Sequence, residues 1–225
     1  MKQSKIWSVV LLFFGFIFIV AFSIALPIWC RFFYYFQIEP LNIEQNSGFT
    51  REQIIEAYDD VLDFLNFNQP FGTGELKYSE SGKSHFEDCK VLFDLDTYAL
   101  IISAAVLIAA ALLSKFRILK PEKLFKFDFY FYSGVLALVI PIVMGAAIAV
   151  DFDNAFVVFH KIFFPGKENW QFSWHDDQII RILPSQFFFN CAIFIAVALV
   201  VLSATSIIIG IVNHRKCKRI ENFIK

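Results

Sequence analysis

Apolar and polar positions alternate along this chain in long blocks rather than at short period. Four stretches, about 6–30, 97–114, 129–150 and 187–211, carry no charged residue. Each meets or nearly meets the roughly 20 residues that an α-helix needs to cross about 30 Å of hydrocarbon. The pattern therefore predicts four transmembrane helices. Between them lie a long segment, 31–96, and a shorter one, 151–186. The first apolar run follows Lys2 and Lys5 like a signal peptide, but it is too long for a signal core and no A-x-A site follows, so it reads as a retained anchor.

Inside the long segment the period changes. Ile54, Tyr58, Val61, Leu62 and Leu65 recur at helical spacing after a Thr50-x-x-Gln53 capping box, with Glu56, Asp59, Asp60 and Asp63 on the other face. Pro70, Gly72 and Gly74 then break the helix, and ELKYSES reads as strand or turn, which places His85 on an irregular element. In the shorter segment DNAFVVFHKIFFPG predicts a helix after Asp153 that ends at Pro165-Gly166. DDQIIRILP predicts a second, short helix stopping at Pro184.

Composition agrees with the spans: 57% of residues are hydrophobic, thirty are phenylalanine and only 18% are charged, against about a quarter charged in soluble domains. Charge adds orientation. The N-terminal tip, the 115–128 connection and the tail after Ile211 hold 12 Lys/Arg against 3 Asp/Glu, whereas 31–96 and 151–186 hold 8 against 18. By the positive-inside rule both termini are cytoplasmic and both larger segments are extracytoplasmic loops. The expected fold class is an all-α membrane protein in which those two loops cap a four-helix bundle, and 1–225 forms a single membrane domain. The HRKCKR run of the tail reads as a topology signal facing anionic lipid, so no nucleic-acid partner is expected.

Candidate chemistry lies in the outer loops. His85 and His160 come from the two loops on one membrane face, and an imidazole can take or give a proton near neutrality. Ser84 beside His85 is a weaker nucleophile candidate without a GxSxG elbow. Neither HExxH nor a short-spaced Cys/His cluster is present, so no metal ligand set is read from a motif, although the two histidines with an acid such as Glu80 or Glu87 could assemble one in space. His175 in a turn and His214 in the basic tail are weaker candidates. Cys30 and Cys89 either form a disulfide or are both free. On these residues alone three readings stand: an enzyme acting at the outer leaflet, a non-catalytic membrane partner of envelope proteins, and a metal-dependent membrane hydrolase.

The succession YSESGKSHFEDCKVLF, AFVVFHKIFF, NWQF and DDQIIRILPSQFF resembles the family of integral membrane proteins that includes the lipoprotein intramolecular transacylase of Gram-positive bacteria. The resemblance implies an acyltransferase of the cell membrane that moves the sn-2 acyl chain of a diacylglyceryl lipoprotein to the amine of its N-terminal cysteine, giving the lyso form. It implies diacylglyceryl-modified lipoproteins and membrane lipid as partners, His85 and His160 as catalytic residues, and no cofactor. Glu80 is the expected orienting carboxylate for His85, and Trp170 a supporting residue. His85 is expected to be the base and His160 the acid or oxyanion donor, with the exchanged assignment open. The motifs leave oligomeric state undetermined.

Overall fold

The computed structural model describes the backbone of residues 2–224, and their side chains except at 147–150 and 220–224. In chain order the elements are β1 (Lys2–Ser4), α1 (Lys5–Trp29), α2 (Arg31–Tyr35), α3 (Ile43–Ser47), α4 (Arg51–Phe67), α5 (Glu80–Lys115), β2 (Leu119–Pro121), α6 (Phe129–Val150), α7 (Phe152–Phe163), α8 (Ile179–Ile182) and α9 (Ser185–Ile224). Each of the four apolar stretches coincides, to within a few residues at its ends, with a helix long and apolar enough to cross a membrane. The chain is thus an all-α membrane protein with four long apolar helices, and it divides into two compact units.

One unit comprises Met1–Ile24, Thr97–Ala146 and Ile195–Lys225. Its helices meet where side chains are small, because hydrocarbon offers no hydrophobic drive between helices and close backbone approach has to supply the attraction. A Cβ on Gly15 would lie 2.6 Å from the Ser133 hydroxyl, and one on Gly134 would lie 2.6 Å from the Ser203 carbonyl oxygen. Across these seams Ser133 donates to the Leu12 carbonyl at 2.9 Å and Ser206 to that of Tyr130 at 2.7 Å. Leu11, Ala110 and Phe129 form one buried cluster, and Ile19, Ala137 and Leu199 another. β1 pairs in parallel with β2, a contact that the hydropathy pattern does not announce.

The other unit comprises Ala25–Asp96 and Ala147–Phe194, and it holds the larger core. The α4 helix begins as its sequence dictates: Thr50 and Gln53 close a complete capping box. Its apolar face, Ile54, Ala57, Tyr58, Val61, Leu62 and Leu65, is buried against Tyr34, Ile38, Ile43 and the α8 residues Ile179 and Ile182. Each fully buried aliphatic side chain contributes about 1.5–3 kcal/mol relative to exposure. The half-exposed Arg31 pairs with Asp59 at 3.0 Å and also with Asp63, but pairs of that kind contribute about 0–1 kcal/mol, so the apolar face dominates. Tyr34 stacks on Tyr58 with ring centroids 3.9 Å apart and donates its hydroxyl to the Ile182 carbonyl at 2.7 Å, tying α2, α4 and α8 together.

The structure corrects one local expectation: His85 lies on the second turn of α5, not on an irregular element. The strand-like alternation ends at Ser79. Ser79 caps the new helix, its hydroxyl oxygen accepting from the Gly82 amide at 3.0 Å and its carbonyl from the Lys83 amide at 2.9 Å. A helix of 36 residues is about 54 Å long, nearly twice the hydrocarbon thickness. The uncharged part of this helix is 97–114. The charged stretch 80–96, which carries His85, precedes it.

Candidate active site

Four ties inside the second unit place His85 and His160. The Asp177 carboxylate, 3% exposed, accepts from the Ser79 amide at 2.8 Å, the Ser79 hydroxyl at 2.7 Å and the Ser173 amide at 3.1 Å. One carboxylate thus fastens the segment before α8 to the start of α5. Gly82 makes room for it, since a Cβ there would stand 2.3 Å from Asp177 Oδ1. Lys77 and Gln178 add a two-bond link: the Lys77 amide donates to Gln178 Oε1 at 2.8 Å and the Gln178 amide donates to the Lys77 carbonyl at 2.9 Å.

One and two turns further along α5, Asp88 accepts from Lys167 and, at 2.9 Å, from the Asn169 side-chain amide, which also reaches the Ser84 hydroxyl at 3.4 Å. Burial works to raise the Asp88 carboxyl, but the bonds from Lys167 and Asn169 prevail and hold it below the usual range. It is therefore charged at neutral pH. Finally, Asp151 caps α7 by accepting from the Asn154 amide at 3.1 Å, which sets the helix that carries His160.

These ties bring the two imidazoles together. Their ring centroids are 5.7 Å apart, inclined at 35°, and the residues are 5% and 7% exposed. Phe164 and Phe172 pack edge-on against His85 at 5.0 and 5.5 Å, while Phe156 and Trp170 cover His160 at 4.2 and 4.8 Å. Trp170 is held in turn by its indole donating to the Lys167 carbonyl at 3.0 Å.

The ring nitrogens are not equivalent. His160 Nδ1 lies 2.8 Å from the Phe156 carbonyl oxygen, and only an N–H can bond there, so in the neutral ring Nε2 carries the lone pair. His85 Nε2 contacts the Cys89 sulfur at 3.3 Å, whereas His85 Nδ1 is buried with no hydrogen-bond partner among the described residues. Burial, joined by the repulsion of a charged His160 and opposed by Asp88, pushes His85 down to about 4. Burial also lowers His160, against the opposing bond to the Phe156 carbonyl. Both rings are consequently neutral at neutral pH. Cys89 is pushed up to about 12, first by burial and then by Asp88, and stays a thiol.

The remaining sequence candidates fall at various distances from this pair. Glu80 is exposed on the first turn of α5 and makes no hydrogen bond or ion pair among the described residues. Ser84 is held by Asn169, and Trp170 lies directly on His160. His175 is exposed, His214 belongs to the other unit, and Cys30 and Cys89 are free thiols. Among the described residues, no three His, Cys, Asp or Glu side chains cluster so as to hold a metal. Asp177, Asp88, Lys167 and Asn169 were not singled out by the sequence; the available signal was a Ser-Glu helix start at Ser79, which needed a partner for its cap.

A family profile described as "Lipoprotein intramolecular transacylase Lit" matches residues 9–188. The in meso structure of the membrane integral lipoprotein intramolecular transacylase Lit from Bacillus cereus superposes with a TM-score of 0.84 at 26% identity, covering 96% of this chain and 97% of that one. A form of the same protein with one histidine changed to arginine gives 0.75 at 24% identity, with 98% and 94% covered, a likeness of fold. An uncharacterized protein of Aquifex aeolicus is 22% identical over 145 residues, 64% of this chain, and the match spans 62% of that relative's length.

Proposed function

The chain belongs to the Lit family, and from that premise we propose that it is an acyltransferase moving the sn-2 acyl chain of a diacylglyceryl lipoprotein to the amine of the lipoprotein's N-terminal cysteine. The observation that carries this reading is the buried pair His85 and His160, each with one ring nitrogen outside its fixed hydrogen bond. The amine nitrogen attacks the sn-2 ester carbonyl. The new C–N bond forms, the C–O bond to the glyceryl oxygen breaks, the amine loses a proton and the departing oxygen gains one. Donor and acceptor share one molecule, so the protein's main task is to bend that molecule until its ends meet.

The ring partners favour the exchanged division of labour. His160 Nε2, its lone pair fixed by the Nδ1 bond to Phe156, takes the proton from the amine. His85 stays neutral because burial and the newly charged His160 both resist a second proton. With its proton on Nδ1 it donates to the developing oxyanion, a role suited to a neutral imidazole. That tautomer has the Cys89 thiol donating to Nε2. Asp177, Asp88, Lys167 and Asn169 act as positioning residues, holding the two rings in register. Glu80 makes no hydrogen bond or ion pair among the described residues, and the carboxylate whose charge acts on the His85 ring is Asp88.

The exposed face of α7 beside His160, formed by Phe159, Ile162 and Phe163, offers an apolar path for acyl chains. We place this site at the extracytoplasmic face of the cell membrane and both termini in the cytoplasm, on the charge bias of the connections. We further read 1–225 as one membrane domain with diacylglyceryl lipoproteins as substrate partners. The test is the N-terminal peptide of a lipoprotein from cells lacking and expressing this protein, analysed by tandem mass spectrometry. Expression should convert a free-amine diacylglyceryl cysteine to an N-acyl, monoacylglyceryl cysteine of the same mass. An unchanged fragmentation pattern refutes the assignment.

A further inference from the structure

A second feature lies wholly in the unit built from Met1–Ile24, Thr97–Ala146 and Ile195–Lys225. There a cavity of about 700 Å³ opens where β1 and β2 meet the ends of α1, α5, α6 and α9. Its volume is within the usual range for a small-molecule site, about 300–1,000 Å³. Leu11, Leu107 and Ala110 give it an apolar wall, and the basic residues Lys120, Lys123 and Lys216 are part of its lining.

The two acids on the wall are already engaged. Glu122 faces Lys5 at 3.9 Å, and Asp128 accepts from the Asn213 amide at 2.7 Å and from the Phe131 amide at 3.4 Å. None of the three lysines has an ion-pair partner among the described residues. His214 lines the same cavity, and its Nδ1 is buried without a hydrogen-bond partner among the described residues. A buried ring nitrogen left unpaired is costly unless something supplies the partner. An oxygen-rich anion answers both the imidazole and the lysines. Lys120 is placed by the β pairing, opposite Gln3, so this rim is built by the fold and is not a free tail.

We propose that the cavity binds the phosphate diester headgroup of an anionic phospholipid, its glycerol and first methylenes against Leu11, Leu107 and Ala110. The lipid comes from the leaflet on the side that the charge bias assigns to the cytoplasm, where anionic headgroups attract basic segments. This site is independent of the acyl-transfer reading and uses none of its residues.

Native mass spectrometry of the purified full-length protein, given equal amounts of phosphatidylglycerol and phosphatidylcholine, tests the proposal. The wild type should retain phosphatidylglycerol at least tenfold in preference. Lys120→Gln/Lys123→Gln/Lys216→Gln should fall to near parity, while the charge-matched control Lys126→Gln/Arg215→Gln/Lys218→Gln keeps the preference. Single variants Lys123→Gln and His214→Phe, run beside them, should each lower it severalfold even if the triple variant fails to fold. A wild type without preference, equal losses in both triple variants, or unchanged single variants would overturn the site. A wild type that retains inorganic phosphate but no phosphatidylglycerol would overturn the lipid as its occupant.

Discussion

At the scale of single residues, the proposed chemistry turns on two imidazoles kept neutral by burial, His85 also by the charge that His160 would carry. The sign of the resulting pH dependence follows from linkage. The unfolded chain takes up protons on histidine near pH 6.5, whereas folded His85 resists them to about 4. This part of the stability is fully present above about pH 6.5 and is lost as pH falls through that window toward 4. Thermal unfolding followed between pH 7 and 4 should show a fall that is smaller in His85→Phe; an equal fall in both proteins contradicts a neutral buried ring. His85 and His160 stood out in the sequence as candidates because they are proton carriers from the two polar segments that the charge bias assigns to one side. The partners of their ring nitrogens were not. The Phe156 carbonyl and the Cys89 thiol each lie four residues from their ring on its own helix; the Cys89 contact became identifiable only once the segment of His85 was known to be helical.

At the scale of elements, helix starts decide where those rings stand. The Thr50 capping box was readable because its two partners are three residues apart. Thr50→Ala should cost about 1 kcal/mol of stability by thermal unfolding while leaving the acyl-transfer rate within twofold, since α4 carries no ring of the pair. The start of α5 was misread because Ser79 is completed by Asp177, ninety-eight positions away, and no local pattern reveals such a partner. Asp177→Ala leaves two amides and a hydroxyl of the clamp unpaired and should cost about 1–3 kcal/mol, with a drop in activity of tenfold or more. Gly82→Val, which drives a side chain into the same carboxylate, should reproduce both effects. Normal activity in both variants, measured below their unfolding temperatures, would show that the clamp does not position His85. The β1–β2 pair was invisible to hydropathy for a related reason: three-residue strands carry no period.

At the scale of the whole molecule, the four spans were the most legible feature, since an uncharged run of twenty residues has few alternatives to a membrane helix. Orientation can be tested with the chain's own thiols. Cys30 and Cys217 are both free and exposed, one beyond the first span and the other in the basic tail. A membrane-impermeant maleimide should label Cys30 on intact cells and Cys217 only after permeabilisation; the reverse order contradicts the proposed orientation. The division of the site between two distant segments of one unit explains why the sequence offered the histidines but not their closure.

In the proposed reaction the His85 and His160 pair moves an acyl chain within one lipoprotein molecule. The most direct test is a reconstituted reaction of the purified protein with a synthetic diacylglyceryl cysteinyl peptide bearing a labelled sn-2 chain, followed by tandem mass spectrometry. The wild type should place the label on the cysteine nitrogen, and His85→Ala and His160→Ala, folded as judged by thermal unfolding, should each lower the rate by about a hundredfold or more. Label that stays on the glyceryl oxygen with the wild type, or moves equally fast with both folded variants, would contradict the account.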